Sequence, residues 1–294
     1  MTPDAFILIM ISALLHAGWN LIGKRTAQTV RFYAWTMASG MLIFSPLLLL
    51  SWSSLSQLPT TFWLLLLASG FCQNFYMTGL ARAYRVGNLS MVYPLARALP
   101  VLMVPVLVVL VYGQSRLSQD DLLGMLLILL GAIALPLQRW RDWRPGDYLN
   151  PAVGWVLVAA LATAGYSIID SVAIGMLRDA GLDPFQAGSS FVVLQAAASL
   201  LWMIPFIKLV LREPLMQFPD RGWTFLAGFF VIGTYLLVLV SMSLVSEVSY
   251  VVALRQISIP LGFFIGVIWL KESLTLPRIQ GVLVMITGLL MVSL

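Results

Sequence analysis

Ten apolar runs, each roughly 18 to 25 residues long, follow one another along this chain at about 5–23, 31–51, 61–82, 88–112, 120–138, 152–174, 185–207, 222–243, 247–270 and 276–294. At 1.5 Å of helix per residue, each is long enough to cross a hydrocarbon core of about 30 Å. The 294 residues are 60% hydrophobic and only 10% charged, where soluble domains carry roughly a quarter charged. One soluble core of this size cannot hide so much apolar surface, whereas lipid solvates it on the outside of a helical bundle. The expected fold is therefore an all-α membrane protein of ten transmembrane helices. The first run leads directly into a second with no small-residue cleavage site between them, so a cleavable signal peptide is not expected. Cys72 is the one cysteine, which excludes an intramolecular disulfide.

The net charge of +5 does not point to nucleic acid, because the cations flank apolar runs instead of forming a block. Segments after odd-numbered runs hold thirteen of them: Lys24, Arg25, Arg31, Arg82, Arg85, Arg139, Arg141, Arg144, Lys208, Arg212, Arg221, Lys271 and Arg278. Segments after even-numbered runs hold two, Arg116 and Arg178. Cytoplasmic loops carry the excess of lysine and arginine. A multi-pass protein of a bacterial inner membrane, with both termini on the non-cytoplasmic side, is the expected topology.

The chain also repeats itself. Leu14, Ala17, Gly18 and Trp19 in the first run align with Leu161, Ala164, Gly165 and Tyr166 in the sixth. The stretch Val86 to Arg97 aligns approximately with Val245 to Gln256, and Gly124 and Gly131 in the fifth run match Gly281 and Gly288 in the tenth. These matches divide the chain into a first five-helix repeat (1–138), a cytoplasmic linker (139–151) and a second five-helix repeat (152–294). Five is odd, so the second copy enters from the opposite face, giving an inverted repeat of the kind on which alternating access is built. The paired glycines allow close helix approach, either between the halves or across a homodimer.

Ten runs in two fives, the proline-bearing fourth and ninth runs (Pro94, Pro100, Pro260) and the segment Trp269 to Leu274 ahead of a glycine-rich last run resemble the EamA branch of the drug/metabolite transporter superfamily. The likeness spans the whole chain, and Lys271-Glu272 is its most family-like element. It implies a permease for amino acids or other small metabolites, with a central cavity lined by the first, third, fourth, sixth, eighth and ninth helices. Two features depart from the family: relatives generally have cytoplasmic termini, and Gly113 to Ser118 lacks a counterpart of Glu272.

Ionisable residues deep in a span are costly and mark function by default. Here they are His16, Arg97, Asp170 and Arg255. Arg97 and Arg255 occupy nearly equivalent positions of the two repeats, which the inversion places on opposite sides of the midplane. Asp170 is expected to pair with Arg255 as a coupling or structural ion pair. Its repeat counterpart is Gly23, so Arg97 has no matching acid. An arginine fork without a fixed carboxylate suits a carboxylate or phosphoryl group on a substrate; the alternative use is to bond backbone carbonyls freed near a proline. Tyr93 shares a face with Arg97. His16, Asn20 and Lys24 share one face of the first run beside Trp19, and a histidine titrates near neutrality and can couple transport to protons. Gln73, Asn74, Tyr76, Tyr166, Ser167, Tyr235, Tyr250 and Gln256 complete the polar set expected to line a substrate site.

No metal-ligand spacing and no phosphate-cradling glycine loop occurs, so neither a cofactor nor ATP-driven pumping is expected. The absence of a glutamate in the first run disfavours cationic drugs. The expected function is secondary active transport of a small anionic or zwitterionic metabolite (an amino acid, an organic acid or a phosphonate-like compound). The alternative is a membrane enzyme acting on a lipid-linked headgroup with His16 and Asp170 as its acid–base pair, which requires those two residues to converge.

Overall fold

The computed structural model describes residues 3–23, 29–87, 89–113, 117–144, 146, 150–215, 220–270 and 273–293. A helix, whole or broken, occupies each of the ten apolar runs. In chain order these are α1 (Pro3–Gly23), α2 (Val30–Phe44), the short α3 (Trp52–Leu55), α4 (Thr60–Val86), α5 (Leu89–Tyr112), α6 (Gln119–Ala134), α7 (Pro151–Asp179), α8 (Pro184–Pro205), α9 (Arg221–Met242), α10 (Val248–Leu254), α11 (Ser258–Leu270) and α12 (Leu276–Ser293). There is no strand among the described residues. Among the described residues, six helices are long and apolar enough to cross a membrane: those at Val30–Leu50, Thr60–Val86, Met91–Tyr112, Pro151–Asp179, Pro184–Leu211 and Arg221–Met242. Outward side chains such as Leu110 and Leu209 are each 74% exposed, as expected where lipid instead of water is the solvent. The chain is an all-helical protein whose apolar helices are compatible with several membrane crossings.

The polar residues between runs fix where helices begin. Ser118 and Asp121 form a reciprocal capping box on α6, and Asp183 and Gln186 do the same on α8, satisfying amide groups that have no partner inside the first helical turn. Asn150 accepts from two amides at the start of α7, where Pro151 has no N–H to satisfy.

Two runs expected to be uniform helix change their winding at a proline. After α2, Pro46 begins a 3₁₀ segment, Ser45–Leu50; after α8, Pro205 precedes a π-helical segment, Phe206–Leu211. Proline removes a donor from the α-helical ladder, and the backbone rewinds around the gap. The ninth run is broken more deeply. A 3₁₀ turn, Arg255–Ile257, separates α10 from α11. Pro260 lies just beyond it and cannot donate to the carbonyl of Gln256.

Several of the contacts between helices come in pairs. Helix α1 packs on α9 as α7 packs on α4, α2 on α9 as α8 on α4, and α5 on α7 as α11 on α1. Helices α2 and α8, α5 and α10, and α6 and α12 also pack on one another. Of the two uses open to the paired glycines, the structure gives the intramolecular one. A Cβ at Gly124 would lie 2.7 Å from the carbonyl oxygen of Gly288, and one at Gly131 would lie 2.4 Å from that of Gly281. The four glycines are thus consumed where α6 meets α12 within one chain. At the end of this seam Arg278 donates to the Leu135 carbonyl and Trp140 to the side chain of Gln280.

Candidate functional site

The deep ionisable residues stand on α1, α5, α7 and the break between α10 and α11, in two groups: His16 with Tyr93, one turn from Arg97, and Asp170 with Tyr235 and Arg255. Helix α7 buries Asp170 completely. Its carboxylate accepts from the hydroxyl of Ser69 on α4 through Oδ1, and from Gln195 Nε2 on α8 (2.7 Å) and the hydroxyl of Tyr235 on α9 through Oδ2. Gln195 also donates to Ser69 Oγ at 2.7 Å. Four helices therefore close around one carboxylate, and each partner is neutral.

The direct Asp170–Arg255 ion pair expected from sequence is not what forms. Tyr235 stands between the two charges: its hydroxyl binds Asp170, and its ring face carries the Arg255 guanidinium 5.5 Å from the centroid. This is a cation–π contact. Tyr76, Tyr166 and Tyr235 form an edge-on row, with ring centroids 5.9 and 5.6 Å apart, so α4, α7 and α9 each supply one ring of the wall around Arg255.

Arg97 and Arg255 do not stay apart across the midplane. Arg97 Nη2 donates to the backbone carbonyl of Arg255 at 2.9 Å and to Ser258 Oγ at 3.1 Å, and Ser258 donates to that same carbonyl at 2.9 Å. The interrupted helix presents a carbonyl sideways, and Arg97 from α5 meets it. The backbone-bonding reading of Arg97 is the one seen: Nη2 serves the interrupted helix, while Nε is buried with no protein hydrogen-bond partner. Neither of these Nη2 bonds is to a carboxylate.

On α1, His16 Nδ1 accepts from the Trp19 indole at 3.1 Å, which leaves the ring proton of a neutral imidazole on Nε2. The imidazole lies parallel to the Tyr93 ring, 6.4 Å between centroids, and Trp19 meets Tyr33 edge-on. Tyr93 is one turn before Arg97, so α1 and α5 bring His16, Tyr93 and Arg97 together. His16 and Asp170, the acid–base pair of the enzyme alternative, engage separate sets of partners.

The remaining predicted positions divide. On α4, Gln73 lies on the same face as Ser69 and Tyr76; its Oε1, Asn74 Oδ1 and Ser167 Oγ are buried without a protein hydrogen-bond partner. Gln256 Nε2 donates to the Val252 carbonyl at 2.7 Å, while its Oε1 has no such partner. Tyr250 leaves the set: its hydroxyl donates to Asp121 at 3.1 Å, at the capping box that starts α6. The Asn20 side chain, Lys24, the Trp269 side chain, Lys271 and Glu272 lie outside the described residues. Sequence reasoning missed Ser69, Gln195 and Ser258. Gln195 was visible as an amide in the middle of an apolar run; Ser69 and Ser258 are too common in membrane helices to stand out.

Among the described residues, the buried centre holds two guanidiniums, Arg97 and Arg255, against one carboxylate, Asp170. No group of three or more His, Cys, Asp or Glu side chains is arranged to hold a metal among the described residues.

No protein-family model matches this chain, and no curated protein matches it in sequence. Among solved structures, one described only as a crystal structure of a protein superposes over 100% of this chain and 98% of its own, with a TM-score of 0.68 at 16% identity. At that identity the likeness speaks for the fold alone.

Proposed function

We propose that this chain is a secondary transporter for a small anionic or zwitterionic metabolite, bound at Arg97 in the centre of a ten-span bundle. The carrying observation is the charge balance at the core. Arg97 and Arg255 face one fixed carboxylate, and Arg97 keeps a buried N–H without a protein partner. Isolated buried charge is costly unless compensated. A carboxylate or phosphoryl group compensates it and accepts the planar fork geometry that a guanidinium offers.

Three further features support the reading. Buried polar atoms of Gln73, Asn74, Ser167 and Gln256 lack protein partners, and such atoms ordinarily find water or ligand. The discontinuous helix at Arg255–Ile257 resembles the broken helices that form mid-membrane sites in carriers. Finally, the pairings α1–α9 with α7–α4, α2–α9 with α8–α4 and α5–α7 with α11–α1 are exchanged when 1–138 is swapped with 152–294, as expected of two inverted repeats related by an in-plane axis. On this reading the cation-rich loops are cytoplasmic, both termini lie on the other side and the membrane is a bacterial inner membrane. An enzyme using His16 with Asp170 gains nothing from their separate bonding.

The test is flux in proteoliposomes loaded with amino acids, organic acids and phosphonates, with and without a pH gradient. Saturable counterflow of at least one anion is expected, lost in Arg97→Ala. Absence of flux for every member of the panel would overturn the proposal.

A further inference from the structure

We infer that Asp170 takes up a proton together with the anion, so that the two bind cooperatively at the centre. The inference rests on the anion-binding reading above and names its coupling ion.

The argument begins with the cage around the carboxylate. Two of its three donors, Ser69 and Tyr235, are hydroxyls, which rotate and can accept as well as donate. The third, Gln195 Nε2, stays on Oδ2 and also donates to Ser69 Oγ. When Asp170 is ionised, all three donate to it. When a proton from water adds to Oδ1, the new O–H donates to Ser69 Oγ and the serine hydrogen turns away; on Oδ2, the new O–H donates to the Tyr235 oxygen instead. One O–H bond forms on Asp170 as one O–H bond of hydronium breaks to leave water, and nothing is oxidised. The heavy atoms need not move, so this cage accepts both protonation states, as a carrier of protons must.

The change in charge reaches the anion site through one residue. Ionised Asp170 sets a negative charge against the Tyr235 hydroxyl, and Arg255 lies on that tyrosine's ring. Across Arg97, Arg255 and Asp170 the centre carries one net positive charge in this state and two once Asp170 is protonated. An anion therefore binds more tightly to the protonated form, and by linkage its binding drives proton uptake.

The groups facing Asp170 leave it well placed to be the proton site. Helix α4 brings Ser69 and Cys72, α8 brings Gln195, α9 brings Tyr235, and the 3₁₀ turn brings Arg255. Tyr166 lies on Asp170's own helix, α5 contributes Tyr93 and Arg97 beyond it, and Tyr250 of α10 is turned to Asp121. His16 is the rival proton site, on α1 against Tyr93 and Trp19.

The experiment uses the purified full-length protein in detergent, with L-glutamate and L-lactate as probes, both of which keep nearly constant charge between about pH 6 and 8. Binding is expected to be about tenfold or more tighter at the lower pH, with up to one proton taken up per anion in weakly buffered solution. In Asp170→Asn, affinity should become equal at the two pH values and proton uptake should vanish. Wild-type binding with no pH dependence and no uptake would overturn the proton assignment alone. So would uptake that disappears in His16→Gln, a result that does not depend on Asp170→Asn folding. Failure of both probes to bind at either pH would instead remove the anion-binding reading beneath it.

Discussion

Along α6 and α12 the chain meets itself through glycines, and at the centre it meets itself through charged and polar side chains. At the glycine seam the facing backbones stand so close that a single methyl group has no room: an added Cβ comes within 2.4–2.7 Å of a carbonyl oxygen at all four glycines. Met125, Ile128 and Met285 fill the adjoining space and are completely buried. At the centre Arg97, Gln73, Asn74, Ser167 and Gln256 are also buried, yet each keeps a polar atom that no protein group satisfies. Burial alone therefore does not separate a joint from a site. Satisfaction does: the seam is complete in itself, and the centre is not.

That contrast can be sharpened by substitution. The largest effect is expected from Arg97→Ala, which should weaken anion binding by about 2–5 kcal/mol, the usual cost of truncating one member of a buried charged contact, while the melting temperature in detergent stays near wild type. A titration that returned wild-type affinity would break the assignment of the centre as the site. Next comes Gly131→Ala, expected to lower stability by about 1–3 kcal/mol through overpacking against Gly281; folded protein that remains should bind with unchanged affinity, since the seam touches no ligand. Thermal unfolding followed in parallel with binding reads both quantities. The smallest is Ser258→Ala. It removes one hydrogen bond from Arg97, worth about 0.6 kcal/mol on average between membrane helices, and should shift affinity by about threefold or less because the Arg255 carbonyl still holds the guanidinium.

The helices were legible because lipid demands long apolar runs, and each of the ten runs is occupied by helix. Interruptions were less so. Pro46 and Pro205 sit near run ends where no irregularity was anticipated, and the Arg255–Ile257 turn lies upstream of Pro260, so the proline's position did not reveal the break. Within the candidate site, His16, Tyr93, Arg97, Tyr166, Tyr235 and Arg255 were found from the cost of burying ionisable and polar groups in a membrane. Their partners were not, because pairing depends on helix order and rotation. Asp170 and Arg255 fall at similar depth, which suggested an ion pair; only the packing of α9 against α7 inserts Tyr235 between them. Tyr250 was misplaced for the same reason, since Asp121, its partner, is 129 residues away in sequence.

The central claim is that the middle of the bundle is a solvent- and anion-accessible site whereas the seam is not. Cysteine accessibility tests it most directly: in a Cys72→Ser background, Gln73→Cys and, as the seam control, Ile128→Cys are exposed in sealed vesicles to a membrane-impermeant thiol reagent. The account predicts that the cysteine at position 73 reacts from the aqueous phase and is protected by a transported anion, while the one at position 128 stays unreacted. Equal inertness at both positions, in protein shown to be folded, would contradict it.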